Sequence, residues 1–186
     1  MRIIAGMHRG RKLLAPEGDV TRPVTDRVKQ SLFDILSPGL QDSHVYDCFA
    51  GTGSMGLECL SRGAAAVTFF EADRSALDRL KANVSPIDPE RRCRIIPGDL
   101  FKWFRQDVPS QGTPRVNLIF LDPPYRFVRE RPGELLQLAG QFAARHLAGD
   151  GIVVFRHDAG DSLELTPLKR YDLREYGGMA LEFLKP

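Results

Sequence analysis

The order of the elements predicted from the sequence favours an α/β fold built on a mostly parallel sheet. From residue 44 to residue 156, short apolar runs typical of buried strands alternate with stretches of helical periodicity. The first of these strands runs into a glycine-rich loop, and the last two strands are separated by Gly177-Gly178. The alternation predicts parallel strands with helices on both faces, and the final pair predicts an antiparallel edge.

Two small elements and one helix precede the alternation. Arg2–Ala5 and Lys12–Leu14 are predicted as short strands on either side of a basic turn at residues 8–11. Thr25–Leu36 is predicted as a helix because its apolar residues share one face and Thr25 is a favourable N-cap. Ser37-Pro38-Gly39 ends this helix.

The remaining elements follow in chain order. Strands are predicted at His44–Phe49, Ala66–Glu71, Arg94–Pro97, Val116–Leu121, Ile152–Arg156, Leu168–Glu175 and Met179–Leu184. Helices are predicted at Ser54–Arg62, Arg74–Val84, Leu100–Phe104 and Glu134–Leu147.

The composition is that of an ordinary water-soluble chain and predicts a single domain over residues 1–186. No run approaches the ~20 apolar residues of a membrane span, and the first residues lack the apolar core of a secretory signal. The three cysteines form no C-x-x-C pair, which argues against a zinc site or a disulfide framework. We therefore expect a cytoplasmic protein without a metal site.

Positive charge is concentrated at the N-terminal end. Residues 1–29 contain seven basic and three acidic residues, a net charge of +4, so the rest of the chain carries −2 of the overall +2. A basic end on a nearly neutral body indicates a surface that faces a polyanion. The alternative is a solvated surface arm that has no partner.

The first strand of the alternation leads into a G-x-G-x-x-G loop formed by Gly51, Gly53 and Gly56. Glycines at such a strand–helix junction permit a tight turn and the close approach of a ligand to the backbone. Glu71 lies 20 residues after Gly51 at the end of the second strand, where a carboxylate can accept hydrogen bonds from both ribose hydroxyls. This motif alone fits NAD as well as another adenosine cofactor.

Two further acids favour a cofactor without a pyrophosphate. Asp47 precedes the glycines and places an anion at the loop, which would repel a pyrophosphate and attract an ammonium group. Asp99 ends the third strand and is a candidate acceptor for an adenine amine, although polar strand ends are common without function. Adenosine, an ammonium group and no phosphate together describe S-adenosylmethionine.

The tetrapeptide Asp122-Pro123-Pro124-Tyr125 ends the apolar strand before it. Each proline fixes φ and lacks an N–H, and the residue before a proline is held extended. Two acceptors, the Asp122 side chain and the Pro123 carbonyl, can therefore hold a planar amine by its two hydrogens, and Tyr125 offers a flat face for stacking. The alternative is a turn that only ends a strand.

These residues resemble class I S-adenosylmethionine-dependent methyltransferases that act on amino groups. Further motifs, spread over nearly the whole chain, resemble the RsmD family. They are Arg2-Ile3-Ile4-Ala5-Gly6, Arg9-Gly10-Arg11, Arg22-Pro23-Val24-Thr25-Asp26-Arg27-Val28, Phe49-Ala50-Gly51-Thr52-Gly53, Leu60-Ser61-Arg62-Gly63-Ala64, Glu71-Ala72-Asp73-Arg74 and Tyr176-Gly177-Gly178.

The resemblance implies a Rossmann-like, seven-stranded sheet and an N-terminal β-hairpin extension, here residues 1–24. It implies transfer of a methyl group from S-adenosylmethionine to the N2 amine of a guanine in 16S ribosomal RNA, within a small-subunit particle. We expect a monomeric enzyme. Without the resemblance, adenine N6 or an amino group of a protein remains an equal target, and an NAD-dependent oxidoreductase or a non-catalytic RNA-binding module remains a rival.

The predicted site has three parts. The catalytic residues are Asp122, Pro123, Pro124 and Tyr125. The cofactor-binding residues are Asp47, Phe49, Ala50, Gly51, Gly53, Met55, Gly56, Glu71, Ala72, Asp73, Asp99, Leu100 and Asp122. The RNA-binding residues are Arg2, Arg9, Arg11, Lys12, Arg22, Arg27 and Lys29, since cations grip phosphates.

The sequence departs from the family pattern at two places. Val24 stands where the family often has threonine, and Phe155-Arg156-His157 follows the fifth strand where an acidic residue is expected. The second departure leaves the role of that strand end in holding substrate open.

Overall fold

A computed structural model describes residues 1–16, 24–88, 90–107, 109 and 112–186. Its centre is a seven-stranded sheet with the strand order β3-β2-β1-β4-β5-β7-β6. The strands are β1 (His44–Cys48), β2 (Ala66–Glu71), β3 (Cys93–Pro97), β4 (Val116–Leu121), β5 (Leu147–Asp158), β6 (Lys169–Tyr176) and β7 (Met179–Lys185).

The first five strands run parallel, as the alternating pattern predicted. The antiparallel C-terminal hairpin at one edge of the sheet is also confirmed. Within it, β7 pairs antiparallel with both β5 and β6 and leaves β6 outermost. A tight turn at Gly177 and Gly178, both with positive φ, joins the two strands.

Six α-helices cover the sheet in the described residues. They are α1 (Asp26–Leu36), α2 (Ser54–Ser61), α3 (Arg74–Val84), α4 (Leu100–Gln106), α5 (Arg126–Glu130) and α6 (Pro132–Gln141). The first helix begins at its predicted cap, where the Thr25 hydroxyl accepts a hydrogen bond from Val28 N.

The core divides into two apolar layers, one on each face of the sheet. The N-terminal residues Ile3 and Leu13 pack with α1, α2 and α3 on one face, whereas α4, α5 and α6 pack on the other. Along β4, Leu118 and Phe120 enter the first layer and Ile119 and Leu121 the second. A strand buried on both faces has no polar side to alternate with, which explains the continuous apolar run in its sequence.

Several elements differ from the sequence prediction, including β5, which begins at Leu147 and not at Ile152. The helix predicted at Glu134–Leu147 begins earlier, and its last turn, Phe142–His146, is π-helical before β5 begins. The short helix α5 was not predicted, because it is too short for helical periodicity to be recognised. The two N-terminal strands reduce to a single antiparallel bridge between Arg2 and Lys12.

That bridge still closes a hairpin around the predicted basic turn. Ile3 N donates to Arg11 O at 3.0 Å, Gly10 N to Ile3 O at 2.9 Å and Leu13 N to Met1 O at 3.1 Å. We refer to residues 1–16 as the N-terminal arm.

Candidate active site

Four polar side chains meet where neighbouring parallel strands end. Cys48 of β1 pairs in register with Phe70 of β2 and Leu121 of β4, and Leu121 pairs with Phe155 of β5. Each of these four positions adjoins a polar residue, namely Asp47, Glu71, Asp122 and Arg156. Because ligands of parallel sheets bind beyond the carboxyl ends of the strands, this edge is the candidate active site.

Each of the three glycines of the loop lies where a side chain would be sterically unfavourable. Gly51 and Gly53 have φ of +56° and +85°, which disfavour residues with a Cβ. A Cβ on Gly56 would lie 2.4 Å from the Phe69 ring, so glycine lets α2 pack directly on β2. Phe49 also adopts a positive φ of 61°, which turns the chain sharply out of β1.

Asp47 is buried beneath this loop. Its Oδ2 accepts a hydrogen bond from Gly56 N at 2.8 Å, and its residue surface is 2% exposed. Burial raises the pKa of Asp47 to about 7, against the opposing effect of the Gly56 N–H and with added repulsion from Asp122 and Glu71. A cation brought to this point would therefore be bound by a carboxylate that has few other charge partners.

Glu71 is held by three backbone amides at the other side of the loop. Oε2 accepts from Gly51 N at 2.7 Å, and Oε1 accepts from Ala72 N and Asp73 N at 2.8 and 2.7 Å. Asp73 in turn caps α3 by accepting from Ala76 N. The Glu71 carboxylate is thereby fixed against the glycine loop, in the place predicted for a ribose acceptor.

Asp99 caps a helix, a structural role that the sequence could not distinguish from the predicted role as an acceptor for an adenine amine. Its Oδ1 caps α4 by accepting from Phe101 N at 2.8 Å and Lys102 N at 3.4 Å. A carboxylate has acceptor capacity beyond these two bonds. The neighbouring Leu100 is 4% exposed and packs in the core, so contact with a ligand would use mainly its backbone.

Asp122 lies at the end of β4, next to the first turn of α5. Its N–H donates to Cys48 O at 3.3 Å, which joins it to the end of β1. Pro124 O accepts from Phe127 N at 2.8 Å, whereas no residue that the structure describes donates to the Pro123 carbonyl. The structure thus brings the predicted acceptor pair, Asp122 and Pro123, to the strand end beside the glycine loop.

Arg156 is a site residue that the sequence analysis left without a role. Its Nε donates to Asp122 Oδ1 at 2.6 Å, and its guanidinium lies 5.8 Å from the centre of the Tyr125 ring. Arg156 follows Phe155, the register partner of Leu121, so its position opposite Asp122 is set by strand pairing. The structure places Arg156 within β5, two residues before the strand ends, and the only signal in the sequence was the unexpected residue type at this place.

An aromatic wall, not predicted from the sequence, joins the glycine loop to α5, the helix that follows the Asp122–Tyr125 tetrapeptide. Phe49, Phe101 and Phe127 lie with ring centres 5.8 to 6.3 Å apart. The Arg131 guanidinium covers two of these rings, at 4.4 Å from Phe101 and 4.7 Å from Phe127. Since α5 was not predicted, nothing in the sequence placed Phe127 near the loop.

One predicted RNA contact is wrong. Lys29 is 2% exposed, and its Nζ lies 3.0 Å from Glu58 Oε2 while it donates to Arg2 O and Ser54 Oγ. The chemical type suggested a surface cation, but the helix turns this side chain towards α2 and the core. Lys29 therefore holds the arm and α2 together and does not face solvent.

The other predicted cations lie on the surface or outside the described residues. Arg9, Arg11 and Lys12 are exposed around the turn of the arm, and Arg27 is exposed on α1. Arg2 is exposed as well, although its Nε donates to Asp26 Oδ2 at 2.8 Å. Arg22, and with it part of the predicted extension 1–24, falls outside the residues that the structure describes.

Buried Glu58 of α2 anchors the arm. Its carboxylate accepts hydrogen bonds from Ile4 N at 2.8 Å and Ala5 N at 3.0 Å, and Arg62 Nε donates to it at 2.8 Å. Burial alone would raise the pKa of Glu58, but the Lys29 ammonium and these donors hold the pKa below its usual value. The arm is thus bound to the same helix that begins at the glycine loop.

Among the residues that the structure describes, no group of three or more His, Cys, Asp or Glu side chains is arranged to hold a metal ion. Within the same ranges, no helix has the length and apolar character needed to cross a membrane.

Comparisons with known proteins bear on nearly the whole chain. The family model described as conserved hypothetical protein 95 matches residues 1–185. Ribosomal RNA small subunit methyltransferase D of Escherichia coli strain K12 is 41% identical over 126 residues, which are 68% of this chain and 61% of that protein. The corresponding protein of Haemophilus influenzae is 40% identical over 128 residues, 68% of this chain and 65% of that protein. The matched part of the chain therefore spans less than two thirds of these relatives.

A solved structure extends the likeness to the full length. The structure described as a putative methyltransferase yhhF from Escherichia coli superposes with a TM-score of 0.82 at 32% identity, and the match covers 100% of this chain and 97% of that one. This likeness confirms the predicted fold, a seven-stranded α/β sheet of the methyltransferase type.

Proposed function

Because the chain belongs to the conserved hypothetical protein 95 family, the RsmD family that its motifs resemble, we propose that it is an S-adenosylmethionine-dependent methyltransferase of small-subunit ribosomal RNA. The target that we propose is the N2 amine of a guanine. The names of the related proteins support the reaction and the RNA class, and the choice of guanine N2 rests on the family resemblance.

One observation carries the proposal: the acceptor pair for an amine lies beside a loop built for a methyl donor. Asp122 is bonded through its N–H to the end of β1, the strand that holds Asp47 and leads into the glycines. A planar amine held by the Asp122 side chain and the Pro123 carbonyl would therefore lie next to any ligand on that loop.

The residues of the loop fit S-adenosylmethionine and do not fit a dinucleotide. Asp47 is a buried carboxylate whose pKa is raised mainly by burial and further by repulsion from Asp122 and Glu71, so it suits an ammonium group and opposes a pyrophosphate. Glu71 is fixed where ribose hydroxyls would reach it, and the wall of Phe49, Phe101 and Phe127 offers apolar surface for an adenine.

The chemistry asked of the protein is mainly positioning. S-adenosylmethionine supplies a methyl group on a sulfonium, which leaves as a neutral thioether when the amine attacks in line. The guanine N2 lone pair is delocalised into the ring, so Asp122 and Pro123 favour attack by holding both amine hydrogens and allowing the nitrogen to pyramidalise. Tyr125 would stack on the base, and the methylated nitrogen then loses one proton.

The N-terminal arm supports an RNA substrate. Arg9, Arg11 and Lys12 are exposed together at a turn that is bonded to α2 through Met7 N and His8 N, which donate to Ser61 O and Ser61 Oγ. Clustered cations of this kind bind phosphates and position a nucleic acid without reading its sequence. The target base would have to be splayed out of its stack to reach the strand ends.

The setting that we propose is a small-subunit particle in the cytoplasm, methylated by a monomeric enzyme. All three cysteines are free thiols in the structure, with Cys48 and Cys59 buried, which suits a reducing compartment.

Transfer of label from S-adenosylmethionine to small subunits tests the reaction. Subunits from a strain that lacks the enzyme should become labelled, and nucleoside digestion should yield N2-methylguanosine. Subunits that are already modified serve as the control and should stay unlabelled. Label in N6-methyladenosine, or in protein alone, would overturn the choice of guanine.

The arm is tested by charge reversal. Arg9→Glu combined with Arg11→Glu should weaken binding to small-subunit RNA and lower the slope of log affinity against log salt by about 2, because each phosphate contact contributes about 1. Lys81→Glu with Lys102→Glu, both on exposed helix surfaces, makes the same change in net charge as a control. Equal effects of the two pairs would remove the arm from the RNA interface.

A further inference from the structure

Unlike Asp47, Glu71 and Asp99, whose carboxylates accept hydrogen bonds from backbone N–H groups, Asp122 is held by a side-chain cation, Arg156. The bond joins Arg156 Nε to Asp122 Oδ1 at 2.6 Å. The arginine side chain is 10% exposed and the aspartate side chain 22% exposed, so solvent screens the pair only weakly. A charge-assisted bond between partly buried groups fixes both orientation and charge.

The surroundings of Asp122 make this cation important. Burial raises the pKa of Asp122, and the Arg156 guanidinium acts against that rise. Asp47 on β1 adds negative charge nearby, since it and Asp122 repel each other. On the other side, β7 places Leu181 opposite Arg156, and the nearest acid of that strand, Glu182, pairs with Arg170 and His157. Among the described residues, Arg156 is thus the cation that faces Asp122.

We propose that Arg156 is a positioning residue for methyl transfer, which keeps the Asp122 carboxylate charged and turned so that one oxygen faces the target amine. This inference rests on the proposed function and assigns a role to the residue found where an acid was expected. An acid at position 156 would repel Asp122, whereas the arginine occupies one oxygen and leaves the other for substrate.

The pair also bears on the proton that the reaction releases. The methylated nitrogen is cationic when the sulfonium becomes a thioether, and it must lose one proton to regain neutrality. Burial raises the pKa of Asp122 above its usual value, and the Arg156 guanidinium makes it a weaker base than an unpaired buried carboxylate would be. The proton can pass to Asp122 or to water, and the role proposed for the pair is orientation and electrostatics.

The first test is the pH dependence of turnover in Arg156→Gln and Arg156→Lys. Loss of the cation in Arg156→Gln should move the acid limb of kcat to higher pH by about one unit or more, the size expected for losing an opposite charge at this distance. Arg156→Lys keeps a cation at this position, so most of the shift should be absent in this variant. In both variants, KM for S-adenosylmethionine should change less than about twofold.

Two comparisons separate this role from a structural one. In an Asp122→Asn background the acceptor cannot titrate, so adding Arg156→Gln should leave the pH profile unmoved. Arg129→Gln removes a pair with the same atoms and distance, Nε to Asp161 Oδ1 at 2.6 Å, outside the site and should keep the wild-type profile. An equal pH shift with Asn at position 122 would refute the inference.

The second test does not need turnover. Carbon-13 NMR of the Asp122 carboxyl should show a higher pKa in Arg156→Gln than in the wild-type protein. Thermal melting establishes beforehand that both proteins are folded at the temperature used. An unchanged Asp122 pKa would overturn the inference. If the pKa moves but the wild-type protein labels no ribosomal RNA, the proposed function fails while the effect of Arg156 on Asp122 stands.

Discussion

The two sides of the candidate site hold their carboxylates by different means. On the side of β1, β2 and β3, Asp47, Glu71 and Asp99 accept hydrogen bonds from backbone N–H groups within the loops and helix ends that follow their strands. On the side of β4 and β5, Asp122 is bonded to the Arg156 side chain. A carboxylate fixed by the backbone stays in place when neighbouring side chains change, whereas one fixed by a side chain depends on a single partner.

The largest effect is expected at Glu58, whose carboxylate is held both by backbone N–H groups and by the side-chain cations Lys29 and Arg62. Glu58→Gln leaves the Lys29 ammonium buried without its counter-charge, so the free energy of unfolding should fall by about 3–5 kcal/mol. Urea denaturation measures this loss. The exposed pair of Glu130 and Arg126 gives the control, since Glu130→Gln should change stability by less than about 1 kcal/mol. A loss at Glu58 no larger than that of the control would show that the buried pair is not needed.

Asp122→Ala should lower turnover more than cofactor affinity, because these two functions are assigned to different sides of the site. Loss of one of the two proposed acceptors for the amine should lower kcat by about 10²–10³-fold. The affinity for S-adenosylmethionine should fall much less, because the backbone-held side still binds the cofactor. Single-turnover kinetics and calorimetry measure the two quantities. A parallel loss of cofactor affinity would mean that the two sides are not independent, and normal turnover would remove Asp122 from the reaction.

Glu71→Ala tests the other side in the same way. It removes the proposed acceptor for the ribose hydroxyls and frees three backbone amides, so affinity for S-adenosylmethionine should fall about 10–100-fold, or about 1.5–3 kcal/mol. Glu90→Ala, an exposed acid away from the site, is the matched control. Calorimetry with NAD in place of S-adenosylmethionine adds a check, because tight NAD binding would contradict the cofactor that we propose.

The smallest predicted effect is a pH dependence that arises at Asp47. Its pKa of about 7 means that most of the carboxyl is protonated at pH 5.5 and about half is ionised at pH 7. An ammonium group binds the ionised form, so affinity for S-adenosylmethionine should rise about tenfold over this range, below the pKa of the amino group itself. Asp47→Asn should flatten the curve. If the affinity of the wild-type protein does not depend on pH, Asp47 is ionised over the whole range, because Lys29 or another neighbour stabilises its charge.

The sequence predicted the backbone-held side more completely than the other. Its determinants are local, because a glycine loop, a strand end and a helix cap each involve residues close in the chain, as with Asp99 and Phe101. The Asp122–Arg156 bond joins residues 34 positions apart and depends on the register of β4 with β5. The aromatic wall was missed for a related reason, since α5 has only five residues.

Lys29 shows that residue type alone does not determine whether a side chain is exposed. A lysine in a basic segment was predicted to contact RNA, but helix α1 places it at the core, where Glu58 compensates its charge. Burial of this pair could not be foreseen, because Glu58 lies 29 positions away on another helix.

The close seating of the arm on α2 limits how it can be exchanged between proteins. A Cβ at position 6 would lie 1.9 Å from Ser61 O, and Ser61 Oγ donates to Ala5 O at 2.6 Å. At Gly6 the arm therefore meets α2 backbone against backbone, and the Glu58 and Ser61 side chains hold the residues on either side of it. A chimera that grafts another arm onto this body would need to carry Gly6, Glu58 and Ser61 as one unit, and substrate range in such chimeras would be inherited with the helix as well as with the hairpin.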